Sequence, residues 1–232
     1  MKNPSRSVKA TKSALRRQRD KEQRYHTILN AAEKLFAEKG YHQTSMEQIG
    51  DLAEVSAATV YSYFRNKEDL LLTAMRESSY EFRKMIGDAF TRGAHSMDGL
   101  KNASISFFRD FCIQHPEKAV ILFREAVGQG EDLEEQRKKM FFSMAGDIKN
   151  ALLKLSENME FAFSSANALD VMAISIVGIY AHIACHYLIW ENKTHTLLDI
   201  ADDVITFTLG GVSSMISKGN TQKIEDMLKC SP

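Results

Sequence analysis

The sequence predicts an all-α protein, and three observations carry that reading. The 232 residues hold only three prolines, at 4, 116 and 232, where a sheet protein of this size needs denser turn punctuation. Apolar residues recur at helical spacing along most of the chain. Capping residues stand where those periodic runs begin. A composition of 44% apolar and 26% charged residues is that of a globular protein and excludes a disordered chain. No repeat of 20–50 residues is visible, which excludes a solenoid.

The first segment is basic. Residues 1–24 carry nine cationic side chains (Lys2, Arg6, Lys9, Lys12, Arg16, Arg17, Arg19, Lys21, Arg24) and two acidic ones, Asp20 and Glu22, a net +7. The whole chain is neutral, so the remainder sums to −7. This division suggests a polyanion partner, with nucleic acid the leading candidate. A flexible solubilising tail fits the same residues. An anionic membrane surface fits less well, because apolar anchors are scarce. Residues 1–23 are therefore expected to form a flexible arm.

Ile28, Ala31, Ala32, Leu35 and Phe36 follow the spacing of a half-buried helix, which Gly40 is placed to end. Thr44 or Ser45 can cap a second short helix with Met46, Ile49 and Ala53 inward. Ser45 and Gln48 have capping-box spacing. Ser56 can cap a third helix running to Phe64, with Val60 and Phe64 inward and Ala57 beside them. Ala58, Thr59 and Ser62 then point away, flanked by Tyr61 and Tyr63. Asn66 can cap a fourth, with Glu68 and Asp69 favouring its dipole. Two short helices joined by a tight turn after a longer one is the helix-turn-helix layout. An outward face of small residues allows close approach to base edges, and the tyrosine hydroxyls can reach phosphates.

Ala31–Tyr41, Thr44–Gly50 and Val55–Leu70, with the string Thr59-Val60-Tyr61-Ser62-Tyr63-Phe64-Arg65-Asn66-Lys67-Glu68, resemble the DNA-binding domain of TetR-type transcriptional regulators. The resemblance covers residues 24–72. It implies that Thr44 and Ser45 meet phosphates. It places Ala57, Ala58, Thr59 and Ser62 at the major groove, and Tyr61 and Tyr63 on the backbone. Lys67 would neutralise a phosphate. Three positions depart from the family pattern. Glu54 replaces the usual turn glycine and would be strained if left-handed. Gly50 replaces alanine and should weaken the second helix slightly. Glu47 faces outward, where it would repel phosphate or accept from cytosine N4. Arg16, Arg17 and Arg19 are expected to add affinity and salt dependence on DNA.

Residues 73–220 read as a larger helical regulatory and dimerisation domain, with 221–232 a C-terminal tail. Helices are expected over 68–91, 98–114, 117–127, 131–156, 166–192 and 197–217, with breaks at 93–96, at His115-Pro116 and at Gly128-Gln129-Gly130. The apolar stretch Val171–Ala184 looks too short to span a membrane. No signal peptide is readable. The expected location is therefore the cytoplasm, with Cys112, Cys185 and Cys230 reduced.

The last two helices are apolar over much of their circumference. The resemblance implies that they pair with a second copy through Ile174, Val177, Gly178, Ala181, Ile205, Leu209 and Val212, giving a twofold dimer suited to a palindromic operator. The same residues would also make a monomer's core hairpin. Phe82, Phe107, Phe111, Phe123, Phe141, Met144 and Met172 are either plain core or the lining of an apolar ligand site, with Arg124 a candidate for an anionic head group. His182 and His186 lie four apart beside Cys185, but spacing supplies no third ligand, so no metal is expected.

These residues point to a repressor released from its operator by a small, largely apolar effector, with the fourth helix as the lever. No cofactor is expected. The competing reading is an all-helical carrier or enzyme, but no HExxH, P-loop, dinucleotide or nucleophile-elbow motif is present. An architectural DNA-binding protein that senses no ligand is a third reading.

Overall fold

The computed structural model describes residues 4–125 and 130–216, with side chains from Ser13 onward. Part of the expected break at 128–130, the tail 221–232, Cys230 and the ends of segments 117–127 and 197–217 lie outside the described residues. Among the described residues there are helices and no strands. An isolated antiparallel bridge pairs Phe163 with Ile216. The chain divides into two compact units, Met1–Ala74 and Met75–Pro232.

The first unit holds α1 (Pro4–Lys39), α2 (Met46–Leu52), α3 (Ala57–Tyr63) and the start of α4 (Lys67–Arg92). Its core is Ile28, Leu29, Ala32, Leu35 and Phe36 of α1 with Met46, Ile49, Ala53, Val60, Phe64, Leu70 and Leu71. Full burial of a side chain such as Phe36 stabilises the unit by about 1.5–3 kcal/mol. Gly40 ends α1 at φ 85°, its N–H reaching the Phe36 carbonyl at 2.9 Å. The segment expected to form an arm is helical from Pro4, continuous with the rest of α1. Arginine, lysine, alanine and glutamine are strong helix formers, and no glycine or further proline interrupts them.

The second unit continues with α5 (Met97–Ser106), α6 (Pro116–Val120), α7 (Glu131–Met159), α8 (Ala168–Ala184) and α9 (Thr196–Ser214). Three of these run on as widened, π-helical turns: Phe107–Ile113 after α5, Ile121–Glu125 after α6 and Cys185–Trp190 after α8. Such turns interrupt regular helices mostly at functional places. Here all three feed one buried cluster, through Phe107, Phe108, Phe111 and Cys112, through Leu122, and through Leu188. Its rings meet edge to face, with Phe107 5.0 Å from Phe108 and 5.2 Å from Tyr180. The Tyr180 hydroxyl donates to Ser104 Oγ at 2.7 Å, which satisfies the polar tip.

A second cluster gathers Met97, Leu152, Leu155, Ala168, Met172, Ile205, Leu209 and Val212. Arg83 of α4 ties to Asp147 of α7 through two bonds of 2.5 and 2.9 Å.

The π-helical turn carries the α8 helix to Trp190. Ala168–Trp190 is then 23 residues with an 18-residue window of mean hydropathy 1.8, long and apolar enough to cross a membrane. The expectation of a shorter stretch took Ala184 as its end. In the structure α8 packs on α7 and α9.

Candidate DNA-reading interface

The loop after α1 and the turn between α2 and α3 set the geometry of the reading head. Ser45 caps α2 in a reciprocal box. Its Oγ accepts from Gln48 N at 3.2 Å, and its own N–H donates to Gln48 Oε1 at 3.1 Å. Ser56 caps α3 by accepting from Thr59 N at 3.2 Å. Asn66 Oδ1 accepts from Asp69 N at 2.7 Å at the start of α4. Each cap satisfies a backbone donor that the helix itself leaves open.

On α3, Val60 is fully buried and Phe64 nearly so. Ala58, Tyr61 and Ser62 are exposed, and Ala57, Thr59 and Tyr63 are half-buried. The Thr59 hydroxyl lies 2.9 Å from Ser56 Oγ, and Ser62 Oγ donates to the Thr59 carbonyl at 2.6 Å. These local bonds fix the two hydroxyls on the outer face. At the far end of α3, the Phe64 ring stacks on Tyr25 of α1 with centroids 5.2 Å apart.

Two of the side chains expected at phosphates are occupied elsewhere. Thr44 is buried, and its hydroxyl donates to the carbonyls of Gly40 at 2.9 Å and Leu35 at 3.2 Å. It closes the end of α1. Lys67 aims its ammonium inward, at the carbonyls of Tyr41 (2.8 Å), Thr44 (2.9 Å) and His42 (3.4 Å), and over the Tyr41 ring at 4.4 Å. Its three donors cap the loop between α1 and α2, and partial burial lowers its pKa. Lys67→Met is expected to cost about 2 kcal/mol, because charge-assisted bonds are lost and carbonyls are orphaned. Urea denaturation measures this. An unchanged midpoint would mean that water replaces the ammonium without loss.

The departures at 47, 50 and 54 have physical consequences. Glu54 is left-handed, at φ 55°. Glu54→Gly is expected to raise stability by up to about 1 kcal/mol, since relief of backbone strain exceeds the added freedom of the unfolded chain. A denaturation midpoint that fails to rise would remove strain from the account. A Cβ at Gly50 would lie 2.8 Å from the Val55 carbonyl, so glycine lets α2 approach the turn more closely than alanine would. The Glu47 carboxyl is held below its usual pKa by its own backbone N–H and by the Ser45 hydroxyl. A carboxylate of the chain itself thus stands at the start of α2.

A short recognition helix, capped at its start, buried on one side and lined outward by small and hydroxyl side chains, defines a helix-turn-helix DNA-binding protein. Comparison with known proteins agrees. Residues 28–74 match the family described as bacterial regulatory proteins, tetR family. The fatty acid metabolism regulator protein of Bacillus subtilis is 39% identical over 64 residues, 28% of this chain and 33% of that one. The chain therefore spans about a third of that relative's length. The HTH-type transcriptional repressor NicS of Pseudomonas putida is 27% identical over 180 residues, 75% of this chain and 81% of that one.

Among solved structures, the fatty acid degradation regulator FadR from Bacillus halodurans shares the fold. Its TM-score is 0.73 at 22% identity, covering 81% of this chain and 95% of that one. FadR from Bacillus subtilis in complex with stearoyl-CoA gives a TM-score of 0.71 at 20% identity, covering 81% and 98%. The match to the tetR family thus covers residues 28–74, and the solved structures share the fold over about four fifths of the chain.

The residues expected at a ligand separate. Phe82, Phe107, Phe111 and Met144 are buried in the aromatic cluster, with Phe123 and Phe141 packed against it. Met172 lies in the second cluster. The Arg124 guanidinium pairs with the buried Glu125 carboxylate, which takes the place of a ligand head group. Burial pushes the Cys112 thiol far above its usual pKa and makes it unreactive. His182 packs edge-on against Trp190 at 5.4 Å, and His186 Nε2 lies 3.3 Å from Glu191 Oε1.

The residues expected at a dimer interface also separate. Ile174 is 65% exposed and Gly178 is exposed, whereas Ala181, Ile205, Leu209 and Val212 are buried within the unit. Val177 is half-buried. The open apolar side of α9 carries Phe207, 70% exposed, with Gly210, Gly211 and Ser214. Helix α9 is thus apolar on two sides, one covered within the unit and one open.

Proposed function

We propose that this regulator is a homodimeric repressor that binds a palindromic operator and is released by a small, largely apolar ligand. The observation that carries the reading is the outward face of α3. Ala58, Thr59, Tyr61, Ser62 and the half-buried Tyr63 stand outside a buried Val60–Phe64 stripe. These side chains, with Ala57 and the Ser45 hydroxyl, meet the duplex. Thr44 and Lys67 hold the loop that positions them.

The second copy docks on the open face of α8 and α9. A Cβ added at Gly178, Gly210 or Gly211 would meet nothing within 4 Å, so no packing inside the protomer requires these glycines. They let a partner helix come close. A twofold axis through this face pairs two recognition helices with two half-sites about 34–36 Å apart or a multiple of that.

The aromatic cluster of the second unit is the ligand site. Its π-helical turns and its adaptable phenylalanine and methionine side chains suit a flexible apolar molecule. One structural neighbour is described in complex with stearoyl-CoA, which makes long-chain acyl thioesters the first ligands to test. The ligand acts only through its differential affinity for two states, and α4, which contributes to both units, transmits the change. The protein works in the cytoplasm, needs no cofactor and catalyses no reaction.

The test is selection of bound DNA from a random duplex pool at two salt concentrations, followed by release from the recovered duplex with acyl thioesters and with free fatty acids. Enrichment of a palindrome and release by an apolar ligand are the expected results. Weak, salt-sensitive binding without enrichment would overturn the operator reading. A palindrome that no apolar ligand releases would overturn the ligand reading alone.

A further inference from the structure

The N-terminal part of α1 has no packing reason to exist as a helix. Every side chain from Ser13 to Arg24 is exposed, including Leu15 at 51%. A helix that is polar all round gains nothing from burial, and an isolated one of this length is marginal in water. What these residues share is charge. Arg16, Arg17, Arg19, Lys21 and Arg24 all project from the segment. At 100° per residue they fall within about 200° of the helix circumference, and Leu15 and Glu22 lie outside that arc. Asp20 lies inside it, 3.9 Å from Arg16, with both side chains largely exposed. Such an exposed pair is weak and leaves the cationic face dominant.

The segment leaves the core at a defined place. Tyr25, the first residue of α1 that is not fully exposed after this run, stacks on Phe64 at the end of the recognition helix. The basic helix therefore begins beside one end of α3, within the same compact unit. Residues 4–24 of a regular helix extend about 30 Å, comparable with about nine base pairs at 3.4 Å each.

We propose that this part of α1 is a second duplex-binding element, a cationic rail that engages backbone phosphates flanking the half-site read by α3. It reads no bases. It lengthens the footprint and supplies affinity by counterion release. The proposal rests on the operator reading.

The experiment uses the full chain and the operator recovered by selection, in two lengths. One duplex ends at the outer edges of the half-sites, and the other carries about twelve further base pairs on each side, beyond the reach of the rail. The variant is R16Q/R17Q/R19Q/K21Q, which keeps helix propensity. Circular dichroism checks its fold, and a chain lacking residues 1–20 is the second variant. The wild type is expected to bind the long duplex roughly tenfold tighter than the short one at about 50 mM salt. Its log K against log salt slope should exceed the variant's by about three to four per protomer, at about 0.9 per phosphate. Both variants should bind the two duplexes alike.

Equal slopes in wild type and variants, with specific binding intact, would overturn the rail and leave the operator reading standing. Failure of the wild type to bind any selected duplex would overturn both. Unchanged DNA slopes, with the variants losing binding to phosphatidylserine vesicles, would assign the charge to a membrane surface and overturn the proposal.

Discussion

Phe207→Lys is expected to leave the protein monomeric and to weaken operator binding at least about a hundredfold. The ring is 70% exposed on α9, beside Gly210 and Gly211, where nothing within 4 Å would meet an added Cβ. A twofold interface uses each residue twice. In the proposed dimer, two phenylalanines that lose burial at about 1.5–3 kcal/mol each forfeit about 3–6 kcal/mol of association, and two charges are placed in the seam. At 1.4 kcal/mol per decade that is two to four orders of magnitude in the dimer constant. The side chain is mostly exposed within the protomer, so the folded monomer should survive. Sedimentation equilibrium reads the mass, and titration of the selected operator reads the affinity. A variant that stays dimeric would move the interface away from the open side of α9.

Gly93→Ala is expected to destabilise the second unit by about 3 kcal/mol, at the upper end of what overpacking usually costs. At roughly 2–4 °C per kcal/mol for a chain of this size, its Tm should fall by about 6–12 °C. A Cβ at residue 93 would lie 2.3 Å from Gly99 Cα and 2.5 Å from Gly99 N. Both are backbone atoms, so no rotamer change relieves the clash. A Cβ at Gly99 would in turn lie 2.7 Å from the Phe90 carbonyl. The end of α4 and the start of α5 meet through two glycines, and Ala94 and His95, both at φ 53°, already spend strain on the tight turn between them. Thermal unfolding followed by tyrosine and Trp190 fluorescence measures the loss. An unchanged Tm would mean that the two helix ends part without cost.

What could be read from the residues was what local chemistry decides. Ser45 with Gln48, Ser56 with Thr59, and Gly40 act on groups three or four residues away, so their roles follow from spacing. The backbone at Glu54 was left open by the residues, with only the family's usual glycine pointing to the left-handed conformation it takes. The bonds that Thr44 and Lys67 make inside the unit could not be read from spacing, because their partners are distant. Thr44 reaches back nine residues to Leu35, and Lys67 reaches back 23 to 26 residues, to Thr44, His42 and Tyr41. The same limit applied to α9, where Ile205 and Phe207 are both apolar and the packing of α5, the turn Phe107–Ile113 and α8 decides which one is covered. The helical backbone of residues 4–24 follows from propensity, which needs no apolar residues.

The three π-helical turns have a consequence for how such a regulator changes over generations. A turn of this kind holds one residue more than a regular turn and is reached by a single insertion without breaking the helix. The widened turn absorbs the extra residue, so the side chains within it are re-aimed while the helix on either side keeps its register. At Phe107–Ile113, Ile121–Glu125 and Cys185–Trp190 the re-aimed side chains are those that face the aromatic cluster. A lineage can therefore re-aim this cluster by gaining or losing one codon in a helix, a change that a count of substitutions would miss.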